Sequence, residues 1–117
     1  MAINHKSMTL NVEVTSTSAT SRQLLYGADN GVATIEKFTA TNDEGSAYNI
    51  SVLVASNQTL SGTIVFQDIV QVPANGTVSL TNLVGHKVPS GGSIQAISSN
   101  ATGVHVTISG IERSQSN

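Results

Sequence analysis

Val104-His105-Val106-Thr107-Ile108-Ser109-Gly110-Ile111 is the stretch on which the fold is decided. Val104, Val106 and Ile108 alternate with His105, Thr107 and Ser109, a period of two that sets β-branched side chains on one face of a strand and polar ones on the other. A helix would need apolar residues at spacings of three and four, and no segment of the chain keeps that pattern over two turns. The chain is therefore expected to be built from strands.

Working back from this strand, the same alternation recurs. Residues 93–98 carry Ile94 and Ala96, residues 77–83 carry Val78 and Leu80, and residues 48–55 set Ile50, Val52 and Val54 against Ser51 and Leu53. Residues 63–72 form the longest β-rich run, with Ile64, Phe66, Val70 and Val72 in one phase. Asp68 falls where that phase should be apolar, which predicts either a bulge near Gln67-Asp68 or two strands bent at a sandwich corner. In residues 32–41 the spacing of three between Ile35 and Phe38 points to a bulge or a switch of buried face. That run and residues 48–55, joined by Asn42-Asp43-Glu44-Gly45-Ser46, read as a hairpin. A short strand is expected over residues 23–26, ended by the turn Gly27-Ala28-Asp29-Asn30-Gly31, and a first strand over residues 9–14 with Leu10, Val12 and Val14 in phase. Residues 15–21 suit a loop, an edge strand or a flexible crossing.

About eight strands separated by turn signals every 8 to 12 residues are the mark of a sandwich or barrel. The expected fold is all-β, a single antiparallel, jelly-roll-like β-sandwich over residues 9–112. A flexible N-terminal arm is expected at residues 1–8 and a short tail at residues 113–117.

Composition narrows the chemistry. The 117 residues are 38% hydrophobic but only 3% aromatic, without Trp, so the core must be assembled from Val, Ile, Leu and Ala. Area burial at about 25 cal/mol per Å² is nearly all such a core gains, and association with neighbours is hypothesised to supply part of the working stability. Charged residues are 10% of the chain, against about 25% in ordinary soluble domains. With a formal net charge of -2 and no Lys/Arg cluster, nothing supplies the field that attracts a phosphate backbone, so nucleic acid is not an expected partner. No run reaches the roughly 20 apolar residues of a membrane-spanning helix, and residues 1–6 lack the apolar stretch of a secretory signal. Synthesis in the cytoplasm is the expectation, and the N-x-Ser/Thr triplets at Asn49, Asn57, Asn75 and Asn100 are then not glycosylation sites.

No catalytic or metal motif emerges. The three histidines, His5, His86 and His105, stand in a terminal arm, a turn and the polar side of a strand, without a nucleophile elbow or ligand spacing. Asp43-Glu44 lacks the repeated oxygen ligands of a calcium loop and is better read as a solvated turn. Gly91-Gly92 opens no helix that would cradle phosphate. A lectin would normally stack sugars on exposed rings, and only Tyr26, Tyr48, Phe38 and Phe66 are available. No enzyme activity, cofactor or metal is expected. A small lectin or a hydrolase using His86 or His105 is the remote alternative.

Four segments carry a resemblance: residues 24–42, including Leu24-Leu25-Tyr26 and Thr34-Ile35-Glu36-Lys37-Phe38-Thr39-Ala40-Thr41-Asn42; Val72-Pro73-Ala74-Asn75-Gly76-Thr77-Val78-Ser79-Leu80; Gly92-Ser93-Ile94-Gln95-Ala96; and residues 104–112. In these the chain resembles the small β-sandwich virion proteins of tailed bacteriophages. The resemblance implies a decoration or cement protein on the outer surface of the capsid, made in the host cytoplasm. Its implied partner is the major capsid protein, with room for a homo-oligomer, dimer or trimer, on the shell. A tail, fibre or head-tail component is the alternative. On that reading the first residues to look to for capsid contact are Ala2, Ile3, Asn4, His5, Lys6, Ser7 and Met8 of the arm, with Thr15, Ser16, Thr17 and Ser18.

Overall fold

Strand β9 (Val104–Ser114) joins the two ends of the chain to its middle. On one flank it pairs antiparallel with β1 (Ile3–Glu13), placing Ser7 opposite Ser109 and Val12 opposite Val106. On the other it pairs with β3 (Gly31–Asn42), placing Phe38 opposite Ile108 and Ala40 opposite Val106. The computed structural model describes residues 3–29 and 31–114, the backbone alone for residues 3–7, 10 and 114. Val104, Val106 and Ile108 are all buried, as their alternation requires.

The remaining strands are β2 (Gln23–Gly27), β4 (Tyr48–Ala55), β5 (Ile64–Val72), β6 (Thr77–Ser79), β7 (Lys87–Val88) and β8 (Ser93–Ser98). One sheet runs β1-β9-β3-β6, with β7 also on β3, and the other runs β2-β8-β4-β5. Every pairing is antiparallel, and the pairs nest: β1 with β9, β2 with β8, β3 with β6 and β7, β4 with β5. The chain is thus one long hairpin with its tip between β4 and β5, rolled so that successive pairs fall in alternate sheets. That is a jelly roll. The strand that would pair along the whole of β3 is split: β6 covers Thr39 to Thr41 and β7 covers Ala33 and Thr34.

The core lies between the sheets and is aliphatic, with Ile35, Ile50, Val52, Val54, Ile94 and Ile108 fully buried around the single buried ring of Phe38. Ile35 and Phe38 both reach it because the register shifts between Ile35 and Lys37, so the odd spacing marks a bulge. Gly110 sits against this bulge, where a Cβ would come within 2.2 Å of the Thr34 carbonyl oxygen, so only glycine lets the two strands approach.

Several expectations change. Residues 32–41 and 48–55 do not form a hairpin: β3 and β4 lie in different sheets, and the turn between them crosses the end of the sandwich. Asn42 holds that crossing, donating from Nδ2 to the Ser46 carbonyl (2.7 Å) and to the Val72 carbonyl of the opposite sheet (3.3 Å). Asp68 sits at neither a bulge nor a corner. It pairs in register with Val52, half-buried on the inward phase, which an edge strand tolerates because its inner face is only partly covered. The strand expected over residues 77–83 stops at Ser79, and Leu80 and Leu83 are buried by turns instead, with Leu83 N–H donating to the Leu80 carbonyl. Val88 belongs to β7, paired with Ala33.

Ile3 to Met8, expected in a flexible arm, lie in β1, and Arg113 and Ser114 of the expected tail lie in β9, paired as far as Ile3 opposite Arg113. Polar composition does not prevent this, since a ladder needs only backbone groups. Met1, Ala2 and residues 115–117 fall outside the described residues.

Tyr26 and Glu112 tie the sheets together at one margin, the phenol donating to Glu112 Oε1 at 2.8 Å. Burial of the phenol, the bond to Glu112 and the neighbouring Glu112 and Asp29 carboxylates hold Tyr26 well above the ordinary value of 10.0. The folded state therefore keeps the proton that an unfolded tyrosine releases, so this contribution is complete below pH 10 and is lost as pH rises past it. In urea titrations, the stability advantage of the wild type over Tyr26→Phe should shrink as pH is raised above 10. In the core, Phe38→Ala should cost about 3–5 kcal/mol in the same measurement, and Ile69→Ala on the surface about 0.5 kcal/mol or less.

Candidate interaction surface

The groups able to do acid-base chemistry are dispersed. His105 Nε2 lies 3.3 Å from Asp43 Oδ2 and 3.8 Å from Glu13 Oε2, and the same Glu13 oxygen accepts the Gly103 N–H at 3.1 Å. These contacts join β1, β9 and the turn after β3 at one end of the sandwich. Among the described residues no hydroxyl hydrogen-bonds to His105, and its Nδ1 is buried without a partner. His86 stacks on Phe66 with ring centroids 3.9 Å apart and planes inclined by 22°, filling the margin between β5 and the loop before β7. The side chain of His5 lies outside the described ones. Among the described residues, a histidine and carboxylates therefore meet only at His105, in an arrangement that ties strand ends together.

The two sheets differ sharply in charge. The strands of the β1-β9-β3-β6 sheet, with β7, contain Lys6, Glu13, Glu36, Lys37, Lys87, Glu112 and Arg113. The four strands of the other sheet contain one charged residue, Asp68, on the inward phase of β5. The outer face of the β2-β8-β4-β5 sheet is thus free of strand-borne charge. Its rows follow from the register: Leu24, Gln95, Leu53 and Gln67 lie side by side, then Ile97, Ser51 and Ile69.

Part of this face is covered by the chain itself. Ser93, Gln95 and Leu53 all point outward yet are fully buried. Their cover is the connection of residues 56–63 at the tip of the long hairpin. Ser93 Oγ donates to the Asn57 carbonyl at 2.6 Å and Gln95 Nε2 to the Thr59 carbonyl at 2.9 Å. Arg22, only 4% exposed, fastens the far side of the loop, Nε donating to the Leu60 carbonyl (2.9 Å) and an Nη to the Gly62 carbonyl (2.7 Å). Gln58 adds a bond to Asp29 Oδ1 at 2.7 Å. A buried guanidinium held by carbonyls meets its hydrogen-bonding need without a carboxylate and fixes the loop in one place.

Beyond the loop the face is open and uncharged, with aliphatic side chains set among the amides and hydroxyls of Asn49, Ser51, Gln67 and Gln71. Val65 is 58% exposed and Ile69 65%, with Leu24, Leu60 and Ile64 also exposed. Ile64, Val65 and Ile69 belong to β5, the outermost strand of its sheet. Depletion of charge together with exposed aliphatic side chains is the composition of an interface centre rather than of a solvated surface.

The residues expected from sequence to contact a partner are not brought together. Ile3 to Met8 occupy the start of β1, and Met8 packs half-buried against the core. Thr15, Ser16, Thr17 and Ser18 follow the other end of β1, which at about 3.3 Å per residue lies roughly 30 Å from Ile3. They form an ordered loop in which Thr15 N–H donates to Gln23 Oε1 at 2.7 Å and the Ser16 carbonyl accepts the Ser98 N–H at 2.8 Å. Thr15, Thr17 and Ser18 are exposed. Ala2 lies outside the described residues. Val65 and Ile69 had a signal in the sequence: they are the apolar residues out of phase with Phe66 and Val70, and a strand apolar in both phases has a second face to bury.

The sequence matches no protein-family model, and no curated protein matches it. Among solved structures, a chain of the T13 particle of infectious bursal disease virus superposes with a TM-score of 0.57 over 94% of this chain at 10% identity. A chain from Bacillus endospore appendages, described as a family of disulfide-linked pili, superposes with a TM-score of 0.56 over 97% at 13% identity. This chain spans 30% of the viral chain, under a third of its length, and 89% of the appendage chain. At such identities the likeness is one of fold: the same all-β sandwich serves in a viral particle and in a bacterial appendage.

Removing the guanidinium should free the loop while leaving the sandwich folded. Arg22→Met is expected to lose about 2–4 kcal/mol of stability, since hydrogen bonds from charged groups are worth about 1.5–3 kcal/mol each. Hydrogen exchange should show lost protection confined to residues 56–63 and the Gln95 neighbourhood.

Proposed function

We propose that the chain is a structural protein of a virus particle, a decoration or cement protein of a tailed bacteriophage seated on the outside of the capsid with the major capsid protein as its partner. The observation that carries the reading is the partition of charge. One outer face, that of β2-β8-β4-β5, bears exposed Leu24, Val65 and Ile69 and no strand-borne charge, while the opposite sheet keeps seven of the charged residues. A protein laid on a shell needs this asymmetry, with one face to desolvate and one to stay in water. The resemblance to small phage virion proteins and the jelly roll shared with a viral particle chain support the same reading.

Such a protein would act by mass action. Binding the assembled shell and not loose subunits stabilises the shell by RT ln(1 + [L]/Kd), about 2.7 kcal/mol per site at a hundredfold excess over Kd. Hydrogen-bonded strands and a loop fastened by Arg22 offer a preformed surface, which limits the ordering cost of binding.

A second reading, a repeating subunit of a tail, fibre or other filament, is favoured by one observation: the likeness to the appendage chain covers 89% of that chain. This chain has no cysteine, so any such filament would be joined without disulfides.

Abundance separates the readings. Purified protein added to cognate empty shells should bind to a fixed copy number and raise their disruption temperature. Leu24→Lys, which puts a charge on the uncharged face, should weaken binding by at least about tenfold, whereas Lys37→Glu on the other sheet should not. Failure to saturate, or recovery of the protein in low copy with tails, would overturn the capsid reading.

A further inference from the structure

We infer that two copies of this chain pair edge to edge through β5, joining their β2-β8-β4-β5 sheets into one continuous sheet about a two-fold axis at Gln67. The inference rests on the reading of that sheet as an assembly surface and names the first partner it takes.

The state of the sheet edges carries the argument. An open edge presents unpaired backbone groups, and folded proteins blunt such edges with shortness, bulges, proline or charge. Among the described residues, three of the four edges are blunted. β6 and β7 have three and two residues. β2 has five residues and a register shift between Leu24 and Tyr26. β1 is broken by shifts on either side of Thr9, holds Asn11 at a φ of 47°, and carries Lys6. β5 has none of these devices along Phe66 to Val72: its one register shift lies before Phe66, it lacks proline and lysine, and its only charge, Asp68, is turned inward. Among the described residues, the one bond reaching a β5 backbone group from outside the β4 ladder is Asn42 Nδ2 to the Val72 carbonyl, at the strand's end.

A strand with this edge takes another strand, and its side-chain pattern fits its own copy. In an antiparallel pair about Gln67, Val65 of each copy meets Ile69 of the other, so the two most exposed large apolar side chains among the described residues cover each other twice. Phe66 then faces Asp68, and Gln67 faces Gln67 with amides able to bond reciprocally. An axis at Asp68 would oppose two carboxylates, and an axis at Ile69 would set Val65 against Pro73, beyond the end of the strand. Of the axes centred on a residue of β5, only that at Gln67 sets Val65 against Ile69. The dimer also doubles the area of the charge-free face that a shell would meet.

The absence of cysteine makes the test direct. Directly opposed residues of an antiparallel pair have Cα atoms about 4.5–5.5 Å apart, within the roughly 4.4–6.8 Å that a disulfide spans. The wild-type chain should sediment as a dimer at submillimolar concentration. Gln67→Cys should oxidise to a covalent dimer with unchanged circular dichroism, and Lys37→Cys should not. Ile69→Lys, a charge at an exposed edge position, should weaken the dimer on the order of tenfold or more while leaving the melting temperature of the sandwich near that of the wild type. A monomeric wild type, a dimer that survives Ile69→Lys, or no cross-link at position 67 would each overturn the pairing. Shell binding by a monomeric wild type would leave the proposed function standing while the dimer falls, and a dimer that ignores shells would do the reverse.

Discussion

The structure depends on β9 lying between β1 and β3. That placement brings the two ends of the chain side by side and sets Ile108 against Phe38, so that a core with one fully buried ring can close. Its tightest point is the approach of Gly110 to the Thr34 carbonyl, where the bulge in β3 changes phase and lets Ile35 and Phe38 both face inward. From this seam the nesting follows. Once β9 is held by β3, the preceding β8 must fall in the other sheet beside β2, and the hairpin rolls up on itself.

Polar groups then finish what a thin aliphatic core leaves open. Asn42 spans the two sheets at the crossing after β3, Tyr26 and Glu112 span them at another margin, and Arg22 with Gln95 and Ser93 fastens the hairpin tip across the outside of its own sheet. Each is a side chain donating to a backbone carbonyl or a carboxylate oxygen, a bond worth about 0.5–1.5 kcal/mol net, or more where a charged group takes part. The loop does more than stabilise: it covers Leu53 and leaves Ile64, Val65 and Ile69 in the open.

What remains uncovered gives the molecule a direction. One sheet is charged and hydroxyl-rich. The other has an outer face without strand-borne charge that ends in an open edge strand, β5. The fold is shared with a chain of a viral particle and a chain of a bacterial appendage, and a shared fold places no function on this one.

The sequence by itself determined the strands. The alternations at Tyr48–Ala55 and Ser93–Ser98 coincide with β4 and β8, the spacing of Ile35 and Phe38 pointed to a bulge or a switch of face and is a bulge in β3, and the turn signal that opens at Gly27 falls where β2 ends. These features are local, set by which side chains a two-residue period puts on one face. Tertiary structure alone decided which strands became neighbours, and hence which face stayed open. The turn after β3 has the same composition whether the chain reverses or crosses, so the hairpin it suggested was a crossing. The polar run Asn4 to Ser7 could join β1 only because β9 offered a free edge at a distance of about a hundred residues. The exposure of Val65 and Ile69 follows from β5 being last in its sheet, a consequence of the whole roll that no single stretch of sequence carries.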